Sequence, residues 1–193
     1  MKKTRLGFAL TGSFCTFDKA IPVIETLVGE GYDIVPIMSE YSYTTDTRFG
    51  KAADFAMRLE MICDHAVIHT IAEAEPIGPE KLLDLLVIAP CTGNTLGKLA
   101  VGIADTSVTM AAKSHLRNQS PLLIGISSND ALGNSSKNIG SLFNYKNVYF
   151  VPMRQDAPHA KPRSMVADFS KIPEAVKHAL TGTQMQPVYL PQE

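Results

Sequence analysis

Between Leu85 and Thr95 the chain changes character abruptly. Leu85 to Ala89 is an unbroken apolar run, and Pro90, Cys91, Thr92, Gly93, Asn94 and Thr95 follow it with almost no apolar bulk. Hydroxyls and an amide beside a glycine offer hydrogen-bond donors on a backbone that another molecule can approach closely. A helix beginning at that point adds unpaired N–H groups and a partial positive charge. The chemistry that suits these residue types is the binding of an anion. Thr11-Gly12-Ser13 repeats the theme near the N-terminus, Ser39 to Thr45 does so further on, and Ser127-Ser128-Asn129 does so again. Each group taken alone reads equally well as a helix cap or a turn. Together they point to one site.

Such a site needs elements that bring these groups together. Strands are expected at Arg5 to Leu10, Tyr32 to Ser39, Ala66 to His69, Leu83 to Ala89, Pro121 to Ser127 and Asn147 to Pro152. Helical spacing appears in Ile21, Ile24, Leu27 and Val28, and again over Lys51–His65, Gly93–Ile103, Val108–Arg117 and Ile172–Leu180. Short apolar strands alternating with helices indicate parallel βαβ units with helices on both faces. The expected architecture is α/β: a single Rossmann-like three-layer domain over 1–193, with a six-stranded, mainly parallel sheet and an irregular tail from about 181. In such sheets ligands bind beyond the carboxyl ends of the strands. Every hydroxyl-rich group above follows a predicted strand.

Composition narrows the function classes. The 193 residues are 45% apolar and 19% charged, with a formal net charge of -1. No basic excess exists to drive sequence-independent binding of nucleic acid. Cys15, Cys63 and Cys91 are far apart and lack metal-ligand spacing, so neither a disulfide framework nor structural zinc is expected. The natural setting is a reducing cytoplasm. The basic start followed by Leu6 to Leu10 imitates a signal peptide but breaks at Thr11-Gly12-Ser13, and reads better as a first strand. No apolar run is long enough to span a bilayer. Cys91 reads as a small packing residue rather than a nucleophile, because no His lies near it in sequence.

The glycine-rich dinucleotide fingerprint is missing after the first strand, and no Walker A motif is present. A phosphorylated mononucleotide such as FMN is therefore expected rather than a nicotinamide dinucleotide.

"TGS" after the first strand together with "APCTGNTLGKLAVGIADTSV" resembles the flavoprotein family of homo-oligomeric flavin-containing cysteine decarboxylases and flavin prenyltransferases. The resemblance implies a Rossmann-like sheet that binds FMN near the places where subunits meet. "GFALTGSFCTF", "TDTRFG", "AEPIGP", "MAAKSHLRN", "GISSNDALG" and "QDAPHAKPRSMVA" extend the likeness over most of the chain. They are most similar to a branch serving as one subunit of an oxidoreductase that makes a pyridine dicarboxylate of bacterial endospores. That implies a partner subunit carrying NADP and a dianionic dihydropyridine-level substrate. On this resemblance, Gly12 and Ser13 match the first flavin loop, Ser39 a phosphate or ribityl contact, and Pro90, Thr92, Asn94 and Thr95 the loop after the fourth strand. Asp105 and Ser107 match the segment that closes the motif, and Ser127, Ser128 and Asn129 the loop after the fifth strand. One position departs from the family. A His stands eight residues before the equivalent of Asp84 in the decarboxylases, and Pro76 occupies that place here. His65 and His69 lie earlier and read as structural.

A dianionic substrate calls for Arg or Lys, and Arg suits bidentate pairing with carboxylates. Arg48 is the first choice, followed by Lys161 and Arg163. Lys98, Lys113 and Arg117 sit on predicted helices and read as solvated faces or ion pairs. Two other readings stay open: a free-standing FMN-dependent decarboxylase, and a structural or activating subunit whose flavin pocket is empty.

Overall fold

The computed structural model describes residues 3–191. The elements in chain order are β1 (Arg5–Leu10), α1 (Phe17–Gly29), β2 (Asp33–Met38), α2 (Glu40–Thr44), α3 (Ala52–Cys63) and α4 (Ile71–Ala74). Then come β3 (Leu85–Cys91), α5 (Gly93–Val101), α6 (Ser107–Leu116), β4 (Leu122–Ser128) and α7 (Ser136–Phe143). The chain closes with β5 (Val148–Phe150), β6 (Met153–Arg154), β7 (Met165–Ala167) and α8 (Ile172–Leu180).

These strands form one seven-stranded sheet in the order β2-β1-β3-β4-β7-β6, with β5 also pairing with β4. The core pairs are parallel: Phe8 lies opposite Pro36 on one side and Val87 on the other, and Ile88 lies opposite Ile124. Only β7 against β4 and β6 against β7 run antiparallel. β4 serves β5 with Leu122 to Ile124 and β7 with Ser127 and Ser128, so one edge carries two short neighbours.

The alternation of side chains along a strand divides the core in two. Leu6, Phe8, Leu10, Val87 and Leu123 face one layer, against α1, α3 and α8. Ala9, Leu86, Ile88, Ile124 and Ile126 face the other, against Leu96 of α5, Val108 and Ala111 of α6, and Ile139 of α7. Strands buried on both faces read as continuous apolar runs, which is why β1, β3 and β4 are recognisable in sequence.

The sheet differs from expectation at both margins. The strand predicted over Ala66–His69 is reduced to a single bridge between Ile37 and Ile68. Met38 donates its N–H to the Ile68 carbonyl, and Ile68 donates to the Pro36 carbonyl. The N–H that Pro36 lacks would have pointed to this same outer edge, so the pairing cannot extend. At the opposite margin, β6 and β7 come from a stretch whose residues look like a loop. The short helices α2 and α4 carry no clear periodic signal in the sequence. α7 is not among the expected helices, although Ile139, Leu142 and Phe143 stand at helical spacing in it. By contrast, Ile172–Leu180 is helical as expected.

At the carboxyl edge, one side chain joins the first two hydroxyl-rich loops. Thr11, 1% exposed, donates its hydroxyl to the Pro90 carbonyl at 2.8 Å and accepts the Thr92 N–H at 3.1 Å. The Thr11 N–H also reaches the Pro90 carbonyl, at 3.3 Å. Thr11→Val keeps the shape and removes the hydroxyl, leaving the Thr92 N–H without its partner. It should lower unfolding free energy by about 1–3 kcal/mol, read from urea denaturation at unchanged m-value. A midpoint equal to wild type would mean that the two loops hold their positions without this residue.

Candidate functional site

A cavity of about 1210 Å3 opens at the carboxyl ends of β1, β3 and β4. It exceeds the roughly 300–1,000 Å3 of common small-molecule pockets. It therefore has room for a mononucleotide with a small substrate beside it. Its position follows from the topology, because the loops after parallel strands collect at one edge of the sheet.

Most of the sequence-predicted residues meet here. Gly12 and Ser13 line the cavity from the loop after β1, Thr92 and Asn94 from the start of α5, and Ser127, Ser128 and Asn129 from the end of β4. Arg48 and Lys161 also line it. The Ser13 hydroxyl lies 2.8 Å from that of Ser127, which ties the first loop to the last.

Several others stand elsewhere. Ser39 caps α2, its hydroxyl accepting the Ser42 N–H at 3.2 Å, and it is not part of the cavity wall. Ser107 is fully buried; its hydroxyl donates to the Met38 carbonyl at 2.7 Å, and its N–H donates to the Glu40 carboxylate at 2.8 Å. It joins α6 to the end of β2 and has no surface to offer a ligand. Pro90 contributes its carbonyl to Thr11, and its ring is buried in β3. Thr95 is 7% exposed and packs its hydroxyl 3.1 Å from that of Thr92. The cap of α5 is Thr92, whose hydroxyl accepts the Thr95 N–H at 3.4 Å. Arg163 is exposed and lies outside the cavity wall, its backbone carbonyl accepting the Leu132 N–H. Asp105 forms an ion pair with Lys98 at 2.8 Å, as the ion-pair reading of that lysine anticipates.

The cavity also holds residues that the sequence did not single out. Lys19 projects from the first turns of α1, and Asp130, Ser135, Asn138 and Asp156 complete the wall. Lys19 falls within two turns of Ser13, and that proximity was the available signal. Ser135 and Asn138 stand at the start of α7, whose apolar spacing (Ile139, Leu142, Phe143) was the signal for a helix there, but only the packing of α7 beside α5 brings them to the cavity.

Positive charge comes from Lys19, Arg48 and Lys161. Arg48 is exposed, its guanidinium 4.9 Å from the centre of the Phe49 ring. Lys161 pairs with Asp156 at 2.9 Å. Burial works to raise the Asp156 carboxyl, but hydrogen bonds from Ser164 and Lys161 outweigh it and hold the group below its ordinary value. Asp156 is thus ionised at neutral pH and a weak base.

Histidine chemistry and a Cys91 nucleophile find no support here; the thiol on the cavity wall is that of the exposed Cys15. Cys91 is completely buried, and burial pushes its thiol far up, so it stays protonated. Its role is packing. Among the described residues no His lines the cavity. His65 bonds the Asp33 carboxylate at 2.7 Å, and His69 stacks on Tyr43 at 3.8 Å between ring centres. Pro76 lies in a short turn before β3, as the sequence departure requires. Among the described residues no cluster of His, Cys, Asp or Glu can hold a metal ion. No helix among them is long and apolar enough to cross a membrane.

The wall is rich in donors, namely hydroxyls, amides, helix N–H groups and three cations, and it also carries the carboxylates of Asp130 and Asp156, the latter paired with Lys161. The donors fit the phosphate and ribityl hydroxyls of FMN and the carboxylates of a small acid.

Comparison with known proteins agrees with this geometry. The model of the Flavoprotein family matches residues 1–175. The chain is 44% identical to the B subunit of dipicolinate synthase from Bacillus subtilis (strain 168), over 97% of this chain and 94% of that protein. The crystal structure of the corresponding B subunit from Bacillus halodurans C superposes with a TM-score of 0.90 at 42% identity, covering 98% of this chain and 97% of that one. The FMN-dependent cysteine decarboxylase SpaF shares the fold, with a TM-score of 0.68 at 23% identity over 92% of this chain and 95% of its own.

The different placements of Asn94 and Ser107 lead to opposite outcomes. Asn94 is exposed and its side chain makes no hydrogen bond with any described residue, so Asn94→Ala should leave thermal stability within about 0.5 kcal/mol. Ser107→Ala leaves the Met38 carbonyl without its hydroxyl donor and should lose about 1–3 kcal/mol. Melting curves of the two variants beside wild type check this. Equal losses would mean that Asn94 is part of the framework and not of the cavity surface.

Proposed function

We propose that this chain, which belongs to the Flavoprotein family, is the B subunit of a dipicolinate synthase. It acts with the synthase's A subunit, its partner, to oxidise a dihydrodipicolinate-level intermediate to dipicolinate. The observation that carries the reading is the cavity: oxyanion donors from three strand ends, beside cations, in a chain related over nearly its whole length to a protein of that name. The setting is the cytoplasm of the mother cell of a sporulating bacterium, and the working form is an oligomer in which copies of this chain associate.

The two kinds of chain divide the chemistry. Aromatisation removes two hydrogens from the dihydropyridine, one as a hydride and one as a proton released to solvent; NADP held by the partner would be the final acceptor of the hydride, with FMN, when bound, as the relay between them. The missing dinucleotide fingerprint in this chain supports that division. Gly12, Ser13, Thr92 and Asn94 would hold FMN, through backbone approach at the glycine and through hydroxyl, amide and N–H donors at the others. When bound, FMN supplies a two-electron acceptor. Arg48 and Lys161 orient the dianion by charge, Arg48 with a fork that matches a carboxylate.

The free-standing decarboxylase reading loses ground, because Pro76 cannot supply the proton chemistry of the family's His and no other His among the described residues lines the cavity.

Two experiments test the proposal. In a mixture that generates dihydrodipicolinate, this chain with NADP alone should yield no dipicolinate, and adding the partner should restore production, followed by absorbance of the aromatic product. Full turnover by this chain alone would overturn the division of labour. FMN titrated into the purified chain should bind, and Asn94→Ala should weaken it by roughly 1–3 kcal/mol. A chain that ignores FMN would return the cavity to a structural or activating role.

Arg48→Ala should weaken handling of the dicarboxylate by about 1.5–3 kcal/mol, as expected for one charge-assisted contact. The exposed position predicts an unchanged melting temperature. Steady-state kinetics of the assembled enzyme, read beside the melt, would reassign Arg48 to the framework if kinetics hold and stability falls.

A further inference from the structure

Charge is unevenly balanced across the cavity. The sheet order β2-β1-β3-β4-β7-β6 separates the loops after β1 and β2 from those after β4 and β6. The loops after β4 and β6 bring Asp130, Asp156 and Lys161 to the wall, and Lys161 spends its charge on Asp156 at 2.9 Å. On the other side stand Lys19, on α1 after β1, and Arg48, on the turn between α2 and α3 after β2. Both are exposed, and neither makes an ion pair with any described residue. The acid nearest to Arg48 in sequence is committed elsewhere: Asp46 accepts the Ala52 N–H at 2.9 Å, at the start of α3.

Packing sets the two cations on one support. Thr47 and Gly50 each donate an N–H to the other's carbonyl, at 3.0 and 3.1 Å, which holds Arg48 and Phe49 at the tip of a turn. Gly50 stands at φ +147°, and a Cβ there would lie 2.8 Å from the Phe55 ring. The Phe55 ring meets Phe17 edge-on, with 5.1 Å between centres. Phe17 begins α1, two residues before Lys19. The turn that bears Arg48 thus rests, through Phe55, on the helical turn that bears Lys19.

We propose that Lys19 and Arg48 together select a dianion, the Arg48 fork taking one carboxylate and the Lys19 ammonium the other. This inference rests on the functional reading above and adds to it a residue to which that reading gives no contact. Lys161 arrives with its charge offset by Asp156, so Lys19 supplies the second uncompensated charge. Two like charges held near each other repel, and a dianion relieves both. The flavin donors assigned above are hydroxyls, an amide and N–H groups, which leaves both cations to the acid.

The test titrates pyridine-2,6-dicarboxylate and pyridine-2-carboxylate calorimetrically into the full chain, with FMN and the partner subunit present. Wild type should bind the dicarboxylate roughly tenfold or more tighter, as expected for one additional charge-assisted contact. Lys19→Gln should remove that preference by weakening the dicarboxylate alone, and Lys19→Arg should restore it. Lys161→Gln should weaken the dicarboxylate less than Lys19→Gln does. The exposed position of Lys19 predicts an unchanged melting temperature for Lys19→Gln. Equal wild-type affinity for the two probes, or a preference that survives in Lys19→Gln, would overturn the inference while the functional reading stands. Weaker FMN binding by Lys19→Gln, with the dicarboxylate unaffected, would assign Lys19 to the cofactor and overturn it as well. If wild type fails to bind the dicarboxylate under these conditions, the functional reading fails and the inference fails with it.

Discussion

The site depends on a hydroxyl that no ligand would touch. Thr11 joins the end of β1 to the end of β3 through the Pro90 carbonyl and the Thr92 N–H. Parallel strands leave their carboxyl ends free to diverge, since no tight turn connects neighbours there. A buried threonine at this junction fixes the distance between the two loops and satisfies groups that would otherwise be stranded at the sheet edge. From Thr92 the chain enters α5 under its own cap, so the direction of that helix follows from the same junction. Ser13 then reaches Ser127, and the third loop is held in turn.

This framework explains how donors can face a cavity without collapsing on one another. The groups that hold the loops, Thr11, Ser107 and the Thr92 hydroxyl, spend their hydrogen bonds on backbone. The side chains of Asn94 and Ser135 spend none on described residues, and Asn129 and Lys19 project from exposed positions on the cavity wall. Hydroxyl-rich sequence thus divides into fasteners and free donors, and burial with partnership separates the two. The charged groups divide in the same way. Lys98 is bound to Asp105 and Lys161 to Asp156, whereas Arg48 lies over the face of Phe49.

The segment from β6 to β7 occupies an unusual place in the sheet. It adds a short antiparallel ribbon to the end of β4, beyond the part of β4 that β5 covers. Its turn carries Asp156 and Lys161 to the cavity. Within the turn their ion pair, with Ser164 against the same carboxylate, keeps both groups charged. The ribbon thereby brings one of the cavity's three cations to a wall that the parallel core alone would leave open.

The sequence by itself determined the parallel α/β core and the sheet edge at which the candidate site would lie. Leu6 to Leu10, Leu85 to Ala89 and Leu122 to Ile126 are apolar on both sides of the pleat, a pattern only a doubly covered strand needs. A loop that follows such a strand must end at the sheet's carboxyl edge, so Gly12, Thr92 and Ser127 share that edge, and the strand order β1-β3-β4 makes them neighbours. The likeness of the motifs to flavoproteins was equally legible. The function of each hydroxyl was not. Ser107 and Ser13 look alike in sequence, and the packing of α6 against β2 decides that one is fully buried and the other is not. Ser39 turned out to be a cap because a five-residue helix starts beside it, too short for a periodic signal. Ser135 and Asn138 became part of the site only when α7 packed beside α5. That contact joins residues about forty positions apart, and local pattern carries no trace of it.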